Sequence, residues 1–271
     1  MPRFPIDYDD RKPLGKTDER VSAIGLGTYG IRNYIAAEEA LVHAVELGID
    51  LIDTAEDYGN GLAEELVGRV AKKVGRDRIF IVTKLSPYRF TDPSTAIRAT
   101  EASLRRMGVN YVDLLLISSP SDFVPIHIMI RSLEAVAEKG LARYIGVSNF
   151  SARELKEAIE SVSKYEIVAN QVKYSVIDRK IERDLLPLCI ELGVTVQGYR
   201  VIERGAVVRY APVLEVANRV GKTPIQVAIN FVISRPRAIA IVKSESVEHI
   251  DEISGALGWR LPAEAIEILE R

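Results

Sequence analysis

Asp53, Tyr58 and Lys84 are the residues of this 271-residue sequence whose types and spacing are best suited to chemistry. Asp53 and Lys84 each close a short apolar run, Ile49–Asp53 and Ile79–Lys84, and Tyr58 lies in the loop just after Asp53. A buried carboxylate–ammonium pair is costly unless function retains it. A phenol has an unperturbed pKa of about 10 and stays protonated at neutral pH. A lysine cation close by would favour the phenolate and make Tyr58 a better acid, with Asp53 holding that lysine charged and oriented. Such a set suits proton donation to an oxygen that is gaining negative charge. The same residues admit a plainer arrangement, with Tyr58 packed on a rim and Asp53–Lys84 a structural pair. Residue mechanics alone leave the two readings level.

What must position these residues is an alternation of short β-rich runs with amphipathic helical stretches. Leu14–Thr17 and Arg20–Ile24 read as a hairpin around Asp18-Glu19, and Gly25–Thr28 reads as a short strand. Further strands are expected at 49–53, 79–84, 112–117, 144–148, 167–171, 194–197 and 239–242. The run Val112–Ile117 is apolar almost throughout, as in a strand covered on both faces. Helices fall between them, at 36–47, 62–73, 93–107, 126–138, 181–192, 213–220, 225–234 and 247–257, with one more at 262–269. Another follows Ser151, where Glu154 three residues on completes a capping box. Roughly eight βα units of about thirty residues each point to a (β/α)8 TIM barrel of class α/β, with an N-terminal hairpin and an extra C-terminal helix. An open doubly wound sheet is disfavoured, because Gly25-Leu26-Gly27 lacks the third glycine of a dinucleotide turn and does not open a helix. No linker or low-complexity stretch divides the chain, so residues 1–271 read as one domain.

Composition narrows the function. Apolar residues make up 47% of the chain, enough for a full core, and the net charge of −2 gives no reason to expect nucleic acid or an anionic membrane as a partner. A single cysteine, Cys189, rules out an internal disulfide and suggests a reducing, cytoplasmic setting. No signal peptide or membrane span is expected. His43, His127 and His249 have no second His or Cys at ligand spacing, so no metal site is expected.

Barrel active sites lie at the C-terminal ends of strands. Those ends carry Thr28-Tyr29, Asp53, Lys84, Ser118-Ser119, Ser148-Asn149, Gln171, Gly198-Tyr199 and Lys243-Ser244. Gly25–Tyr29, Gly48–Ala55, Tyr58-Gly59, Val82–Lys84, Tyr111–Leu114, Gly146–Phe150, Asn170-Gln171 and Gly221–Pro224 closely resemble the aldo-keto reductase family over essentially the whole chain. The resemblance implies reduction of an aldehyde or ketone by hydride transfer from a nicotinamide cofactor, with NADP(H) favoured and NAD(H) as the alternative. It implies Tyr58 as general acid with Asp53 and Lys84 as its tuning pair. Ser148, Asn149 and Gln171 would bond the nicotinamide carboxamide, and Tyr199 would stack on the ring. Thr28, Tyr29 and Asp53 would line the cofactor cleft, Lys243 and Ser244 would meet the adenosine 2′-phosphate, and Glu252 the adenine. A monomer is the family default.

Three departures stand out. Where the family has Ile-His-Trp-Pro, this chain has Ile117-Ser118-Ser119-Pro120, so Ser118 replaces the histidine that helps bind the carbonyl oxygen. A serine hydroxyl can donate, but it is shorter and carries no charge. Gly198–Ile202 replaces the family's Tyr-Ser-Pro-Leu, with Arg200 or Arg204 available to meet phosphate. His249 stands where an arginine often binds the 2′-phosphate, and Glu245 adds a negative charge beside it. Two other functions compete. One is a cofactor-binding sensor or regulator with weak or no catalysis. The other is a phosphate-handling barrel enzyme with Lys84 as a Schiff-base nucleophile.

Overall fold

The computed structural model describes all residues, Met1–Arg271. The chain opens with a hairpin, β1 (Arg11–Pro13) and β2 (Arg20–Ser22). Eight parallel strands follow: β3 (Ile24–Gly27), β4 (Leu51–Asp53), β5 (Phe80–Leu85), β6 (Val112–Ile117), β7 (Ala142–Ser148), β8 (Ile167–Lys173), β9 (Thr195–Tyr199) and β10 (Ala238–Val242). They close into a barrel in sequence order, with β10 pairing β3. The helices are α1 (Tyr34–Glu46), α2 (Leu62–Val74), α3 (Pro93–Met107), α4 (Ile126–Glu138), α5 (Ala152–Ser161), α6 (Leu185–Leu192), α7 (Ala211–Val220), α8 (Pro224–Ile233), α9 (Val247–Ser254) and α10 (Ala263–Leu269). This is the (β/α)8 barrel with hairpin and terminal helix that the alternation predicts.

Local signals explain the best-placed elements. Asp92 caps α3 and Pro93 sits at its first turn, while Gly108 ends it in the left-handed region. Strand β6 is buried at every position, as its apolar run requires. The capping box of Ser151 and Glu154 opens α5.

Two expectations shift. The hairpin pairs Arg11–Pro13 with Arg20–Ser22, not 14–17 with 20–24, because the chain turns at Gly15 (φ 58°). The Gly15 N–H donates to Thr195 Oγ at 2.8 Å, which pins that turn to the barrel floor. The helix expected over 181–192 begins at Leu185; residues 180–183 form a 3-10 turn, and Asp184 (φ −141°, ψ −51°) breaks the helical path.

Inside the barrel, Leu51, Phe80, Val82, Leu114, Leu116, Ala169, Ile239 and Ile241 pack together over Leu14 and Val21 of the hairpin, which plug the floor. Small residues make room for large ones. A Cβ on Gly25 would lie 2.5 Å from Leu51 and 2.6 Å from Ile241. Side chains alternate along each strand. The residues two steps beyond this apolar layer therefore share its inward face, and they include Asp53, Lys84 and Gln171. The apolar layer is the base on which a polar layer rests.

Candidate active site

Asp53 and Lys84 meet at the C-terminal ends of β4 and β5, both buried. Lys84 Nζ donates to Asp53 Oδ1 at 2.5 Å and to the Thr54 carbonyl at 2.8 Å. Asp53 Oδ1 also accepts from Gln171 Nε2 at 2.7 Å. Strands β4 and β8 face each other across the closed sheet, so this bond spans the barrel. The Thr28 N–H and hydroxyl each donate to the Asp53 carbonyl at 3.0 Å, fixing its backbone as well.

Tyr58 begins a short 3-10 turn whose next residues, Gly59 and Asn60, take left-handed backbone (φ 58° and 55°). A Cβ at Gly59 would lie 2.1 Å from the Tyr34 hydroxyl, so glycine is needed there for space as well as for conformation. The half-buried Tyr58 ring lies edge-on to exposed Tyr29, with centroids 5.1 Å apart. Lys84 Nζ lies 5.1 Å from the centroid of the Tyr58 ring, a cation–π contact. The Tyr58 hydroxyl has no hydrogen-bond partner in the chain.

Burial first, and the Asp53 charge second, hold the Tyr58 phenol above its ordinary value. Tyr58 is therefore protonated at neutral pH.

A second group adjoins the first. Asn149 sits in left-handed backbone (φ 61°) just past β7. Its Nδ2 donates to the Ser118 carbonyl at 3.0 Å and to Ser148 Oγ at 3.3 Å, and its Oδ1 accepts from the Tyr199 hydroxyl at 2.8 Å. The Asn149 N–H and the Ser148 hydroxyl both donate to the Gln171 carbonyl at 2.9 Å. One network therefore gathers Ser118, Ser148, Asn149, Gln171 and Tyr199, and Gln171 joins it to Asp53. Strand-end polarity does not single out Gln197, a fully buried residue of β9 whose Oε1 accepts from Gln171 Nε2 at 3.0 Å.

The third group forms a separate edge, where β10 meets β3. Lys243 pairs with Glu245 at 2.6 Å, and Glu245 Oε2 accepts from the N–H groups of Arg32 (3.2 Å) and Asn33 (2.8 Å). Partial burial works against the Glu245 charge, but Lys243 and the two N–H groups outweigh it and hold the carboxyl below its ordinary value. Ser244 bonds the Ser246 carbonyl at 3.2 Å, and Ser246 caps α9 by accepting from the His249 N–H. Arg200 (φ 57°) and the His249 side chain are exposed, and Glu252 is half-buried. No hydrogen bond joins this edge to the first two groups. No cluster of His, Cys, Asp and Glu suited to a metal ion is present, and no helix is long and apolar enough to cross a membrane.

The chain is similar to known proteins. The chain is 30% identical over 263 residues to the methylglyoxal reductase YeaE of Escherichia coli, covering 94% of this chain and 92% of that protein. It is 32% identical to an NADH-specific methylglyoxal reductase of the same organism, over 71% of this chain and 67% of that protein. Among solved structures it is similar to an aldo/keto reductase from Klebsiella pneumoniae in complex with NADP and acetate, with a TM-score of 0.90 and 31% identity, covering 97% and 95% of the two chains. The family model described as the aldo/keto reductase family matches residues 23–271, and the chain belongs to that family.

Proposed function

We propose that this oxidoreductase reduces a small aldehyde or ketone to an alcohol, with Tyr58 as the proton donor. The observation that carries the reading is the gathering of Asp53, Lys84 and Tyr58 at one end of the barrel, with the Tyr58 hydroxyl left without a partner. A nicotinamide cofactor, when bound, supplies the hydride. Tyr58 gives its proton to the carbonyl oxygen as the carbon is reduced, so the π electrons of the C=O bond end in an O–H bond. Lys84, a few ångströms from the ring, then stabilises the phenolate until solvent returns a proton. Asp53 keeps the ammonium in place.

The chain's own groups fit such a cofactor. Gln171 Oε1 has no partner in the chain and is not among the atoms sealed from solvent, so it is free to accept from a carboxamide. Asn149 orients the half-buried Tyr199 ring for stacking. Lys243 is the cation nearest Ser244 for a 2′-phosphate, which favours NADP(H), in keeping with the NADP-bound relative. Glu245 already neutralises that cation, which keeps NAD(H) as the alternative, in keeping with the NADH-specific relative. The likeness to methylglyoxal reductases favours 2-oxoaldehydes as the substrate class. Ser118 in place of histidine points to slow turnover on unactivated aldehydes, since losing one such donor costs about 2.7–4 kcal/mol at a transition state. We read residues 1–271 as one domain acting as a cytoplasmic monomer.

Titration of nucleotide fluorescence with NADPH and NADH, followed by a carbonyl panel that includes methylglyoxal, tests the reading. Glu245→Gln should raise the preference for NADPH over NADH by roughly tenfold, the value of about one charge-assisted contact. No binding of either nucleotide would remove the reading. Binding with no turnover of any carbonyl would leave a cofactor sensor in its place.

A further inference from the structure

We propose that Gln197 is a positioning residue that fixes the plane of the Gln171 amide, so that the oxygen Asp53 leaves free is held as an acceptor for the N–H of the nicotinamide carboxamide. The inference rests on the cofactor reading above and adds to it a residue that strand-end polarity does not mark.

The orientation follows from Asp53 outward. A carboxylate paired with an ammonium offers only acceptor atoms. The Gln171 atom 2.7 Å from Asp53 Oδ1 must therefore be its NH2 nitrogen. That nitrogen also lies 3.0 Å from Gln197, so the facing Gln197 atom must be the carbonyl oxygen. Both hydrogens of the Gln171 NH2 are then used, one across the barrel to β4 and one along the sheet to β9. Two bonds in different directions fix the plane of the amide, whereas Asp53 alone would leave it free to turn about one bond. The atom left over is Gln171 Oε1.

Gln197 is oddly chosen for any other purpose. It is fully buried, and its own Nε2 has no partner. Buried polar atoms without partners are rare and destabilising. A methionine would fill a similar volume beside Ile239 and Ile241 without leaving a donor unpaired. What the glutamine supplies, and an apolar residue does not, is the acceptor for Gln171.

The test compares NADP+ with its 3-acetylpyridine analogue, whose acetyl group keeps a carbonyl oxygen but has no N–H. Dissociation constants are measured by displacement of NADPH fluorescence, with a melting curve for each variant. Wild-type protein should bind NADP+ at least about tenfold more tightly than the analogue, since a site built around a hydrogen bond rejects the ligand that lacks it. In Gln197→Met the amide is free to turn about its bond to Asp53 and its oxygen is no longer held toward the ligand, so the ratio should fall to within about threefold, the change carried by weaker NADP+ binding. Gln197→Glu keeps the acceptor and should keep the wild-type ratio. A ratio unchanged in Gln197→Met, or lost equally in Gln197→Glu, would overturn the inference while leaving the proposed function intact. Failure of wild-type protein to bind either NADP+ or NAD+ would overturn both.

Discussion

Asp53 and Asp113 are both buried carboxylates on this barrel, and their surroundings differ in kind. Asp113, near the N-terminal end of β6, accepts from Arg76 at 2.6 Å, from the Ile81 N–H at 2.8 Å and from Arg143 at 2.9 Å. Arg143 continues to Glu19 of the hairpin at 2.6 Å. Burial opposes the Arg143 charge, but Asp113 and Glu19 prevail and hold the guanidinium above its ordinary value. Both Asp113 oxygens are used, and the cluster ties the hairpin to β5, β6 and β7. Asp53, at the C-terminal end of β4, has both of its partners on Oδ1. Its Oδ2, the Tyr58 hydroxyl and Gln171 Oε1 have no partner in the chain, and none of them is sealed from solvent. The Asp113 carboxylate closes its hydrogen bonds within the chain, as a group that serves stability does. A cluster that serves chemistry leaves groups open for a ligand.

The largest effect should come from breaking the open cluster. If Lys84 serves the phenolate as proposed, carbonyl reduction by Lys84→Met should fall by roughly 10²–10⁴-fold in steady-state assays, the usual contribution of acid–base catalysis. Asp113→Ala should leave the rate per folded molecule within about twofold and instead cost roughly 1–3 kcal/mol in denaturant unfolding, because the buried Ile81 N–H loses its acceptor and Arg76 and Arg143 lose their carboxylate. If the two variants exchanged these signatures, the contrast would be wrong. A smaller effect sharpens the chemistry of the open end. Ser118→His restores a longer donor and should raise turnover of a simple aldehyde by roughly tenfold, part of what one such donor contributes. No gain would show that the substrate oxygen does not lie near Ser118.

How much of this is legible in the sequence depends on what sets each feature. The bounds of α3, α4 and β6 follow from local signals, namely caps, an apolar run and a stop at Gly108 or Gly140, and the structure gives the same residues. The hairpin register is not local. It is set by Gly15 turning onto Thr195, a contact across 180 residues, so the apolar pattern from Leu14 places the first strand too late. In the site, polar residues directly after apolar strands mark Asp53, Lys84, Ser148 and Gln171, which the fold gathers. Gln197 escapes that rule because it lies inside β9, before the strand ends. Its signal is a polar side chain two residues before Tyr199 on the same face of the strand. The upward shift of Tyr58 escapes too, since spacing does not reveal how far the fold withdraws its phenol from solvent. Glu245 is visible as a charge near Lys243, but its grip on the N–H groups of Arg32 and Asn33 needs the closed barrel that brings β10 beside β3.

The most direct test of the claim that the open cluster is catalytic is a single-turnover measurement on Tyr58→Phe, following nucleotide absorbance after mixing the preloaded NADPH complex with methylglyoxal. The hydroxyl bonds nothing in the chain, so its loss should leave the melting temperature and the NADPH dissociation constant unchanged within about twofold. The rate of hydride transfer should drop by at least about 100-fold. A Tyr58→Phe enzyme that binds NADPH normally and oxidises it at the wild-type rate would contradict the account.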